Sequence, residues 1–124
     1  TIMGIAKSFK DKGVNEKIVA LEPASSPILS KGIKGAHNVD GVGLGFIPAI
    51  YNSKYVDDVI AIEESLARQT CKELASKEGI FCGTSSGMNI AGAIKLSKNL
   101  GPKSKVVAVA CDTGLKYLSE GLFY

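Results

Sequence analysis

The stretch Phe81-Cys82-Gly83-Thr84-Ser85-Ser86-Gly87 constrains this chain more than any other. An apolar run breaks into glycine and hydroxyl residues and restarts as a helix, and strand, tight loop and helix start in that order are where α/β proteins hold polar ligands. Gly83 and Gly87 lack the Cβ atoms that would keep a flat ligand off the backbone, while Thr84, Ser85 and Ser86 bring hydroxyls beside free N–H groups of the helix that follows. A heteroaromatic ring or an anion suits such a place. Plain helix capping uses the same residue types, so the segment gains meaning only from its company.

The surrounding chain alternates strands and helices. Ile2, Ile5, Ala6 and Phe9 recur at helical spacing, and Lys10 to Gly13 supply a basic last turn and a glycine stop. Lys17 to Pro23 is a short apolar run closed by proline and reads as a buried strand. From Ala24 to Pro48 no period holds and glycine and proline concentrate, which predicts a long loop of the kind that is functional or mobile. Val56 to Ile60 reads as a second strand and Glu63 to Glu78 as a helix, with Glu64 and Arg68 paired on its exposed face. Ile80 to Cys82 gives a third strand, a helix starts near Ser86, and Lys105 to Cys111 gives a fourth strand before a helical turn through Leu118. This order predicts an α/β fold of three layers, a mainly parallel sheet with helices on both faces.

At 124 residues, 45% hydrophobic and 22% charged, the chain has the composition of one globular α/β domain and is short for an enzyme that closes two lobes on a substrate. Its net charge of +3 comes from scattered lysines and a single Arg68, which argues against a nucleic-acid surface. Cys71, Cys82 and Cys111 sit in apolar settings without a CxxC pair and predict buried free thiols in a reducing, cytoplasmic setting; His37 stands alone, too few ligands for zinc. No stretch predicts a membrane span, and Thr1-Ile2-Met3-Gly4 has neither a secretory pattern nor the look of a natural start.

Three loops fall at or beside the carboxyl ends of the predicted strands: Gly41-Val42-Gly43-Leu44-Gly45, Gly83 to Gly87, and Asp112-Thr113-Gly114. Taken with their flanks, His37 to Pro48 and Asp112 to Ser119, they resemble in order and spacing the later half of the cysteine synthase (O-acetylserine sulfhydrylase) and cystathionine β-synthase family, pyridoxal 5'-phosphate enzymes of the tryptophan synthase β type. The resemblance runs over nearly all of the chain, and three ordered motifs are specific where one would be weak.

The resemblance implies most of the large domain of that fold and a cofactor-binding set of Thr1, Gly41, Val42, Gly43, Ser85 and Asp112. Thr1 matches the last threonine of the family's Gly-Thr-Gly-Gly-Thr phosphate loop, and Ser85 the residue that meets the pyridine nitrogen. A neutral hydroxyl there makes a weaker electron sink than a carboxylate would, which fits β-replacement. Gly41, Val42 and Gly43 match the segment lining the ring and substrate side. Asp112 and Tyr117 match a motif beside the cofactor, and Tyr117 fits a core position equally well. The implied reaction replaces the acetate of O-acetylserine by sulfide to give cysteine. The implied partners are those two small molecules, a second copy in a homodimer, and the carboxyl-terminal tail of serine acetyltransferase, with no nucleic acid or membrane.

The family's Schiff-base lysine belongs to a motif that nothing in residues 1–124 matches, so the chain is expected to be one α/β domain from the carboxyl-terminal part of a larger enzyme and inactive alone. Asp40 stands where many relatives carry glutamine, and Cys111 where proline is common. Other members of the family, namely cystathionine β-synthase or a serine or threonine dehydratase, remain open, as does a binding module without catalysis.

Overall fold

Val19–Pro23 (β1) and Asp58–Ile62 (β2) pair in parallel, with Val19 opposite Asp58, Leu21 opposite Ile60 and Pro23 opposite Ile62, in a computed structural model that describes residues 1–124. Hydrogen bonds beyond the ladder secure the pair at both ends. Asp57 N–H donates to Ile18 O at 2.8 Å, Ile18 N–H to Asp57 Oδ2 at 2.7 Å, and Ala24 N–H to Ile62 O at 2.9 Å. Because Asp57 is used as this end clamp, the second strand lies two residues later than its apolar pattern suggests. β1 can end on Pro23 because a proline at the end of a strand withholds its N–H where no further ladder bond is needed.

The chain opens with the expected helix, Ile2–Asp11 (α1), which buries Met3 and Ala6. The long connection from Ala24 to Asp57 is more ordered than glycine and proline content suggests. Its first part folds over a buried carboxylate: Glu22 accepts the N–H groups of Leu29 (2.7 Å) and Ser30 (3.3 Å) and the Ser30 hydroxyl, which fixes the single turn Ile28–Lys31 (α2). Ser26 Oγ then accepts the Gly35 N–H at 3.2 Å, and an added Cβ on Gly35 would lie 1.8 Å from Ser25 O, so only glycine fits this crossing.

Glu64–Glu73 (α3) runs into a wider helical turn over Leu74–Glu78 and stops at Gly79 in the left-handed region (φ +68°), as its pattern predicts. Thr84–Ser97 (α4) starts two residues before the expected Ser86, because Gly83 takes the extended N-cap conformation. α3 and α4 pack on each other through small residues, and Gly92 of α4 rests against Leu21 of β1. One core gathers Val39, Ile62, Ala67, Met88 and Ala91 between sheet and helices. A second joins Cys71, Cys82, Tyr117 and Leu122 under the 3-10 helix Gly114–Glu120.

The α/β character and the parallel pairing are as expected, but two of the expected strands do not form. Ile80 to Cys82 makes only an isolated antiparallel bridge, Cys82 with Thr113. Lys105 to Cys111 is not part of any ladder, and Val107 is 92% exposed. A strand needs a neighbour's backbone. Around 105–111 the groups that reach the backbone are side chains of α4: Ser86 Oγ accepts the Cys111 N–H at 2.8 Å and Asn89 Nδ2 donates to Val109 O at 2.9 Å. The same surface placement leaves Cys111 exposed, correcting the expectation that all three thiols are buried; Cys71 and Cys82 are buried and free. No helix is long and apolar enough to cross a membrane.

Candidate functional site

A cavity of about 620 Å³ lies between the first turn of α1, the face of β1, the glycine loop after Asp40, α4 and the run 106–111. Its wall is mostly apolar, as expected of a site for a flat organic group. Thr1, Gly41, Val42, Gly43 and Ser85 all line it, so residues from three distant parts of the sequence meet in one place. Asp112 does not line the wall. It stands next to Cys111, which does, and its carboxylate accepts from Tyr117 and Ser86 instead.

The hydroxyls at the start of α4 have separate tasks. Thr84 Oγ1 accepts the Asp40 N–H at 3.3 Å and ties the glycine loop to α4. Ser86 Oγ accepts the Cys111 N–H and lies 3.4 Å from Asp112 Oδ1, holding the turn after residue 110. Ser85, between them, is the one on the cavity wall. The backbone it stands on cannot yield easily. A Cβ on Gly83 would lie 2.3 Å from the Tyr117 ring and 2.5 Å from Asp112 Oδ1, so the Asp112 turn and Tyr117 close directly over Gly83. Tyr117 donates its phenol hydrogen to Asp112 Oδ2 at 2.7 Å, and Gly83 N–H donates to Asp112 O at 3.3 Å. Burial first, and then the Asp112 carboxylate, push the Tyr117 phenol well above its ordinary range. Tyr117 is therefore a core residue off the cavity wall, joined to Asp112 by its phenol and packed against Gly83.

The glycine loop is fixed from its other side by α3. Asn38 N–H donates to Glu64 Oε2 at 2.8 Å, and Arg68 Nε stands 3.1 Å from Glu64 Oε1. The Asn38 N–H chiefly, with Arg68 also contributing, holds the Glu64 carboxyl below the usual range. Gly41 and Gly43 adopt φ +76° and +57°, conformations that keep side chains rare and the wall flat.

Sequence reading missed Asn89. It lies one turn after Ser85, on the same wall, and its amide holds Val109 in place. The available signal was the i, i+4 spacing from Ser85 along a helix whose first turn was already suspect. Lys31, Lys34 and Lys116, the lysines near these loops in sequence, stand outside the cavity wall. Lys116 Nζ lies 3.8 Å from Asp112 Oδ2, the Lys34 side chain packs at Gly45, and Lys31 is exposed.

The arrangement fits a phosphorylated aromatic ring. The N-terminus of a ten-residue helix offers free N–H groups to an anion, glycine backbone offers a flat face, and Ser85 stands on the same wall. Fold and cavity together are those of an α/β protein with room for a flat organic group beside a helix N-terminus. The chain belongs to the family of pyridoxal-phosphate dependent enzymes, whose model matches residues 1–112. It is 42% identical over 123 residues to cysteine synthase B of Campylobacter jejuni, covering 99% of this chain and 40% of that protein. The crystal structure of cysteine synthase from Entamoeba histolytica superposes with a TM-score of 0.92 at 35% identity, over 99% of this chain and 37% of that one. A hydrogen sulfide-producing enzyme from Fusobacterium nucleatum superposes with a TM-score of 0.89 at 41% identity, over 98% of this chain and 36% of that one. The chain spans about 40% of the length of the curated relatives it matches.

Proposed function

We propose that this chain supplies the cofactor-cradling part of a cysteine synthase, in which sulfide replaces the acetate of O-acetylserine. The observation that carries the reading is the meeting of Ser85, Gly41 to Gly43 and the start of α1 on one cavity. Bound pyridoxal phosphate supplies an electron sink for chemistry at the substrate's α and β carbons. Within this chain, the first-turn N–H groups of α1 and Thr1 would hold the phosphate, Ser85 Oγ would donate to the ring nitrogen, and Gly41 to Gly43 would face the ring and its substrate side. Asp112, Tyr117 and Ser86 orient the backbone that carries Ser85. The family's Schiff-base lysine has no counterpart on the cavity wall, which supports the reading that this chain needs the rest of a longer enzyme to act.

The test is an amide chemical-shift titration of the 124-residue chain with pyridoxal phosphate and, separately, with pyridoxal. The phosphorylated form moves the amides of Ile2, Gly41 and Ser85, and pyridoxal moves Gly41 and Ser85 without Ile2. Absence of any change at Ser85 with both compounds rejects the reading.

A second reading, release of sulfide from a thiol-bearing amino acid with water entering in its place, is favoured by Asp40. This residue is exposed beside the cavity-lining Gly41, is bonded through its N–H to Thr84, and is near enough for its charge to raise the Tyr117 pKa. A carboxylate can take a proton from water where a glutamine amide cannot. In a family-length polypeptide carrying this chain, Asp40→Gln is expected to lower the ratio of sulfide release to sulfide uptake by about tenfold or more. An unchanged ratio leaves the synthase reading alone.

A further inference from the structure

His37 is the one histidine of the chain, and neither the fold nor the reactions above give it a task. Its two ring nitrogens have different partners. Nδ1 lies 3.3 Å from the Val39 nitrogen, whose N–H can only donate, and Nε2 lies 2.8 Å from Gly43 O, which can only accept. Both bonds exist together only in the neutral form protonated at Nε2. The ring therefore closes the chord from residue 37 to residue 43, and the residues inside that chord include Gly41 and Val42 of the cavity wall. Gly43 is also enclosed between the ring and the end of β1: an added Cβ there would lie 2.4 Å from His37 Nε2 and 3.0 Å from Pro23 Cγ. Asn38 and Asp40 are anchored by Glu64 and Thr84, and beyond Asp40 the next hydrogen-bonded atom of the loop is Gly43 O, while Val42 between them is held only by its packing against the core of Val39, Ile62, Ala67, Met88 and Ala91.

We propose that His37, as its Nε2–H tautomer, is a positioning residue that latches Gly41-Val42-Gly43 against the ring of the cofactor. This rests on the cofactor reading above for the identity of the ligand, while the latch itself rests on the two hydrogen bonds.

The test uses the 124-residue chain labelled with nitrogen-15, as wild type, His37→Asn and His37→Leu. Asparagine can accept the N–H two residues on, as in an Asx turn, but is too short to reach Gly43 O. The wild-type ring is expected to show the neutral Nε2–H pattern. His37→Asn keeps the slow exchange of the Val39 amide, whereas His37→Leu loses it. In both variants the order parameters of Gly41 and Val42 fall from the rigid range of about 0.85 towards about 0.6, and the apparent affinity for pyridoxal phosphate, read from the Ser85 shift, drops about tenfold. Unchanged shifts at Gly87 and Cys71 verify that the helices stay packed. An Nδ1–H tautomer, or Gly41 and Val42 equally ordered in wild type and both variants, overturns the latch. If pyridoxal phosphate moves nothing in the wild type, the cofactor reading fails instead, and the order parameters still decide the latch.

Discussion

Gly87→Ala is expected to destabilise the fold by about 3 kcal/mol, lowering the thermal midpoint by roughly 10 °C. An added Cβ would lie 2.3 Å from Ala67 O and 2.4 Å from Cys71 Sγ. Neither contact is the loose end of a flexible chain. Ala67 O belongs to the backbone of α3, and Cys71 is fully buried with its thiol donating to Gly83 O at 3.2 Å. The methyl must therefore push α3 away from α4 over their whole shared face. Alanine favours a helix over glycine by up to about 1 kcal/mol, so the clash has to exceed that gain, and at these distances it does. Gly4→Ala separates the two effects, because Gly4 lies inside α1 with nothing within 4 Å of an added Cβ. That change is expected to stabilise by about 0.5–1 kcal/mol. Thermal melts of the two variants should move in opposite directions. A neutral Gly87→Ala would mean that something other than a glycine contact sets the spacing of the helices. The displacement also matters for the site, since Gly87 is one turn from Gly83 and the same helix end presents Ser85.

The contrast between these two glycines shows what a sequence makes legible. Helix α3 could be read from Ala67, Cys71 and Leu74 together with the Gly79 stop, because its signals are all local. β1 could be read from its apolar run for the same reason. The register of β2 could not: Asp57 looks like a strand residue until Ile18 is seen to need its carboxylate. Lys105 to Cys111 failed for a related cause. Its Val- and Ala-rich composition states what the run could pair with, but pairing depends on a neighbour far away in sequence, and here only Ser86 and Asn89 of α4 reach it. The site was legible wherever residue type carried the chemistry, as with the small residues at Gly41 to Gly43 and the hydroxyls at 84 to 86. It was obscure where the role was to hold something else. Asn89, Glu64 and His37 have ordinary sequence surroundings, and their importance comes from the backbone atoms they meet.

Stability should fall steeply above about pH 9, and the loss should trace to the same cluster that carries the site. Cys71, Cys82 and Tyr117 pack together with Leu122, and all three hold their protons more tightly when folded. Burial is the leading cause at each. It pushes the Cys71 thiol from 9.0 to about 11, with nearby Cys82 adding to the rise, and Asp112 adds to burial at Tyr117. Once the solution passes the ordinary range of a thiol and then of a phenol, the unfolded chain releases these protons while the folded chain keeps them. Unfolding then releases protons, so stability declines with rising pH and is complete below about pH 8.5. For Cys71 alone, a rise from 9.0 to about 11 amounts to about 3 kcal/mol once the pH exceeds both values. Denaturant midpoints measured from about pH 7 to pH 11 should stay level and then drop. Cys71→Ala should flatten the drop at some cost near neutrality. Tyr117→Phe should do likewise while losing about 1 kcal/mol throughout, because Asp112 forfeits its phenol donor. A level profile to about pH 10.5 in the wild type would show that the cluster is open to water. Because Tyr117 and Asp112 close directly over Gly83, the alkaline transition should also release the start of α4, and the Ser85 amide should lose its protection in step with the fall in stability.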